Sequence, residues 1–96
     1  MSLHLEAVPP MVPCVHMNGT SKQDLLKQQI AVIDAANALL AALRAATPNG
    51  RDFYPLGDEA LVRAAGEHRN RLASVAMVHD DAETIALAIQ AQGRGR

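Results

Sequence analysis

The sequence predicts an all-α protein: an antiparallel two-helix hairpin with an extended N-terminal arm, associating into a four-helix-bundle dimer or a higher oligomer. Three observations carry this expectation. Residues 25–46, LLKQQIAVIDAANALLAALRAA, are apolar around nearly the whole circumference of a helix, and a helix that is apolar all round is buried all round. Residues Leu61, Ala65, His68, Leu72, Val75, His79, Ala82, Ala86 and Ile89 follow the alternating four–three spacing of a heptad seam. The chain has 96 residues, 49% of them apolar, but eighteen are alanine and only Phe53 and Tyr54 are aromatic. A single copy would have a thin core of small side chains, and association is the usual remedy.

The elements follow in order. Residues 1–19 hold prolines at positions 9, 10 and 13, each of which removes a backbone donor, so an extended arm is expected, strand-like over Cys14–Met17. Its apolar residues (Leu3, Leu5, Val8, Met11, Val12, Val15, Met17) predict packing against helices of this or a neighbouring chain. For residues 1–9 a disordered tail is the alternative. Helix 1 spans about 20–46, with Thr20 as N-cap and Gln23 completing a capping box, and ends where Thr47 precedes Pro48. It carries a large stripe (Leu26, Ile30, Ile33, Leu40, flanked by Leu25, Val32, Leu39, Leu43) and a small one (Ala31, Ala35, Ala38, Ala42, Ala45).

Residues 47–57 form a loop: Pro48-Asn49-Gly50 signals a turn, and Pro55 is expected to stop any helix across it. Helix 2 spans about 58–92, starting at Gly57 or at Asp58 as a capping carboxylate, with a local irregularity around His79-Asp80-Asp81. Glu59–Arg63 and Glu67–Arg71 stand at i, i+4 on its charged face. Residues 93–96 are expected to be a flexible tail. The hairpin proper is thus 20–92.

Net charge is −1 with mixed signs, which argues against duplex nucleic acid or an anionic membrane surface as partner. Asp34 and Asn37 inside helix 1 argue against a membrane span. The lone Cys14 excludes an internal disulfide and, with no secretory signal pattern, fits a reducing cytoplasm.

Candidate chemistry falls in four places. Asn18-Gly19-Thr20-Ser21 offers free amides at a helix N-terminus, a glycine and two hydroxyls; it fits either a phosphate site or an ordinary cap. In the loop, Arg51 can fork onto a phosphate and Tyr54 can stack on a base; alternatively Phe53 plugs the bundle end while Arg51 and Asp52 pair locally. In Glu67-His68-Arg69-Asn70-Arg71, His68 lies on the seam and, like His79, faces either a polar cavity beside Arg69 or Arg71, or a satisfied internal contact that fixes register. Cys14 and His16 alone are too few ligands for zinc, and no metal or other cofactor is expected. Catalysis has little support: no nucleophile sits in an elbow, and Asp80-Asp81 reads as a solvated face. The cap and the loop lie at opposite ends of helix 1, roughly 37 Å apart, so an antiparallel second subunit would be needed to unite them.

Three segments, Val15-His16-Met17-Asn18-Gly19-Thr20-Ser21, Pro48-Asn49-Gly50-Arg51-Asp52-Phe53-Tyr54-Pro55 and Glu67-His68-Arg69-Asn70-Arg71, resemble a group of small, mostly uncharacterised phage and prophage helical-hairpin proteins over about residues 14–90. By architecture the chain is also similar to the oligomeric hairpins that phages use as sponges for nucleotide signals of bacterial defence, although the motifs of the established sponge families are absent. The resemblance implies a non-enzymatic anti-defence protein of the host bacterial cytoplasm. It would bind a cyclic oligonucleotide or cyclic ADP-ribose type of ligand at subunit interfaces, through Asn18, Gly19, Thr20, Ser21, Arg51, Tyr54, His68 and Arg71. A protein–protein adaptor or phage-assembly accessory is the alternative; an RNA-binding bundle is disfavoured by the charge.

Overall fold

The computed structural model describes residues 8–93 and is all-helical. Its elements are α1 (Lys22–Ala45), the short α2 (Gly50–Phe53), a 3₁₀ turn (Tyr54–Leu56) and α3 (Asp58–Ala91). The expected tails of residues 1–7, with Leu3 and Leu5, and of residues 94–96 lie outside the described residues.

Helix α1 begins one residue later than the capping box predicted. The N-cap is Ser21, not Thr20, and its Oγ accepts from the Asp24 amide at 3.1 Å. Ser21 and Asp24 repeat the same cap chemistry one step on, and the Asp24 carboxylate faces the positive end of the helix. At the other end the Ala46 amide bonds back to the carbonyls of Ala42 and Leu43 at 3.1 and 2.9 Å. The Thr47 hydroxyl donates to the Arg44 carbonyl at 2.7 Å, satisfying an acceptor the finished helix leaves open.

The loop corrects a second expectation, because Pro55 does not keep it free of helix. Asn49 caps α2 by accepting the Arg51 amide at 2.8 Å, and Pro55 lies in the opening turn of the 3₁₀ segment, where its missing donor is not needed. Gly57 then enters α3 with φ +107° and ψ 165°, a region essentially restricted to glycine. The cap is this backbone and not the Asp58 carboxylate, which sits with Glu59 in the first turn. The helix runs unbroken through His79–Asp81, where an irregularity was expected.

Opposite ends of α1 and α3 meet. Lys22 Nζ donates to the Gln92 carbonyl at 2.7 Å, and Thr47 Oγ1 lies 3.3 Å from His68 Nε2, so the helices run antiparallel. All nine seam residues of α3 are buried or half-buried, as are Leu26, Gln29, Ile33, Ala36, Leu40 and Leu43 of α1. Among the described residues the fully shielded set is small: Ala36, Ala82, Ile89 and His68. The arm docks on the far end of α3 through one side chain. The Gln92 amide accepts from the Val15 N–H and donates to the Pro13 carbonyl, both at 2.8 Å. No strand forms over Cys14–Met17, because its backbone partner is this amide and a turn closes from the Gly19 N–H to the His16 carbonyl.

The small stripe of α1 (Ala31, Ala35, Ala38, Ala42, Ala45) is exposed throughout, as are Ile30, Val32 and Leu39 from the large one. The molecule measures 63 × 28 × 18 Å. No single helix among the described residues is long and apolar enough to cross a membrane.

Candidate binding cleft

Where α1 ends, the loop folds back against the first turns of α3 and borders an open cleft of about 530 Å³. Its walls carry Thr47, Asn49, Asp52 and Phe53 from the loop, and Glu67, His68 and Arg71 from α3. The i, i+3 and i+4 spacing places these three α3 residues on one side of the helix.

His68 is the centre of the cleft's chemistry. Its residue exposure is only 6%, and one hydrogen bond fixes its ring. The Thr47 hydroxyl has spent its proton on the Arg44 carbonyl, so toward His68 it accepts, and Nε2 is the nitrogen that carries hydrogen. Nδ1 has no hydrogen-bonding partner among the described residues. The same geometry removes Thr47 as a nucleophile activated by His68, because the proton runs from the imidazole toward the hydroxyl oxygen.

Arg71 stands beside it. Sequence spacing paired Glu67 with Arg71 and Glu59 with Arg63, and the structure corrects both. Glu67 instead accepts from Arg63 Nε at 3.2 Å, one turn in the other direction. Arg71 therefore has no ion pair among the described residues. With Asp52 and Glu67 on the walls, the cleft mixes one unpaired guanidinium with two carboxylates. It suits a ligand carrying both an anionic group and several hydrogen-bond donors better than a bare anion.

Arg51 and Tyr54 do not enter this cleft. They line an adjacent open groove with Gly50, Gly57, Asp58 and Leu61, and Tyr54 is 76% exposed. Phe53, half-buried, lines the cleft wall and, on its other side, a depression with Leu56, Glu59 and Arg63. Asn18, Gly19, Thr20 and Ser21 lie at the other end of α1, about 36 Å away for its 24 residues. There Ser21 is engaged in capping, and the Gly19 N–H closes a turn on the His16 carbonyl at 3.2 Å. Within one chain the predicted ligand set is thus divided among three places, with only His68 and Arg71 in the cleft.

The chain matches no family model, curated protein or solved structure.

Two features were not visible beforehand. Thr47 was read only as a helix stop; its hydroxyl orients a histidine 21 residues away, and no local pattern announces that. His79, Asp80 and Glu83 also bring one potential metal ligand each within 4.8 Å, with His79 Nδ1 3.1 Å from Asp80 Oδ1. The i, i+4 spacing of His79 and Glu83 was the available signal.

Proposed function

We propose that this chain is a non-enzymatic, self-associating binding protein that sequesters a small phosphorylated nucleotide in the cleft between the loop and α3. The observation that carries this reading is the buried His68, one ring nitrogen without a partner among the described residues, beside Arg71, which has no ion pair among them, in a space of about 530 Å³. That volume lies within the roughly 300–1,000 Å³ typical of small-molecule sites. Arg71 takes the phosphate, and Asp52 and Glu67 accept from base or ribose donors. His68 Nδ1 meets the ligand inside. Arg51 and Tyr54, on the neighbouring groove, contact a ligand that extends across the loop. Asn18–Ser21 reach the site only from a second copy lying antiparallel.

The resemblance to phage and prophage hairpins extends this reading to an anti-defence sponge acting in the host bacterial cytoplasm, with a cyclic oligonucleotide or cyclic ADP-ribose type of ligand. A protein adaptor is the second reading, favoured by the apolar residues left exposed on α1 and α3.

Thermal melting against cyclic di- and trinucleotides and ADP-ribose derivatives tests the proposal. A true ligand at a hundredfold excess over Kd adds about 2.7 kcal/mol and raises Tm by roughly 10 °C or more. Arg71→Ala should reduce that shift strongly and Arg51→Ala with Tyr54→Ala only partly. A panel that leaves Tm unmoved overturns the nucleotide reading.

A further inference from the structure

The cleft does not end at Arg71. That residue also lines a second depression with Leu39, Leu43, Ser74 and Val75. Leu39, Ser74 and Val75 in turn line a third, which continues over Val32, Ala35 and Val78 and is almost wholly apolar. The three are one groove along a single side of the α1–α3 pair, polar at the loop end and greasy along its length. From Val32 to Thr47 it follows α1 for roughly 22 Å.

From this groove we infer that its apolar stretch is the docking face for a second copy of this chain, and that the second copy supplies the missing wall of the His68–Arg71 cleft. The thin core points to the occupant: among the described residues only Ala36, Ala82 and Ile89 are buried apolar side chains, so this face needs cover whenever the chain is folded, and a second copy is the partner that is always present. Along the groove Val32, Leu39 and Val78 are 38%, 49% and 51% exposed, and the exposed alanines on the adjoining side of α1 let another helix approach closely. A two-fold axis pairs the same patch with itself, so one surface serves both chains. This rests on the self-association half of the proposed function and not on its ligand.

The test is the mass of the full chain in solution, by sedimentation or light scattering at micromolar concentration, with helix content checked by circular dichroism. The wild type should show twice the mass of the single chain or an even multiple. Val78→Glu and, separately, Leu39→Glu put a charge into the groove and should give helical single chains. Val62→Glu and Leu87→Glu, exposed but outside the groove, should keep the wild-type mass. If one groove variant fails to fold, the other decides. A single-chain wild type overturns the inference; so does a groove variant that stays associated while Val62→Glu or Leu87→Glu comes apart. A dimer that binds no nucleotide leaves this face standing and removes the ligand reading, and a monomer that binds nucleotide does the reverse.

Discussion

At the scale of single residues, one hydroxyl sets the state of the candidate site. Thr47 closes α1 by donating to Arg44 and, through the lone pair that remains, holds the His68 ring by Nε2–H, leaving Nδ1 without a partner among the described residues. Thr47→Val keeps the shape but strands the Arg44 carbonyl and His68 Nε2. It should cost about 1–3 kcal/mol in denaturant unfolding, whereas Thr47→Ser should stay within about 1 kcal/mol of the wild type. Equal losses in the two variants would show that packing, not the hydroxyl, matters here. The site was half legible in the sequence for a reason this residue illustrates. His68 drew notice because imidazole is a costly seam filler, and Arg71 because it follows one turn later. Thr47 gave no signal, since its role exists only once α3 lies beside the end of α1. Glu67 misled for the opposite reason: it stands one turn from both Arg63 and Arg71, and local spacing cannot choose between them.

At the scale of elements, the period-3.6 pattern sufficed. The boundaries of α1 and α3 follow from the proline after Thr47 and the glycine before Asp58, and the heptad seam of α3 marks its shielded side residue by residue. What the pattern missed were short, capped pieces. The α2 turn depends on one Asn49 side-chain bond, and the arm is tied by Gln92, whose partners Pro13 and Val15 lie some eighty positions earlier. The seam is regular but poorly filled: Ile89 is the one large side chain fully buried among the described residues. It sits in the last turns of α3, just before Gln92 binds the arm. Ile89→Ala should therefore cost about 2–5 kcal/mol, a large share of the stability of so small a domain. Leu87→Ala, two positions away and exposed, should change stability by less than about 0.5 kcal/mol. Chemical denaturation of both variants measures the contrast, and similar losses would mean that the seam is not where α3 is held.

At the scale of the whole molecule, a rod 63 Å long with so few shielded side chains makes stability a property of concentration. If folding and association are coupled, mass action sets Tm, and its slope follows from the unfolding enthalpy. Two chains of this length give about 130 kcal/mol at roughly 0.7 kcal/mol per residue, so each tenfold rise in protein concentration should raise Tm by roughly 4 °C. Helical circular dichroism followed through melting over a hundredfold concentration range reads this directly. Val62→Glu should keep the slope. Val78→Glu should abolish it and melt at one lower temperature throughout, because the groove it interrupts is where the second chain lies. A flat line for the wild type would mean that the α1–α3 pair stands alone, its alanine stripe wet, and that the cleft at Arg71 is bounded by one chain only.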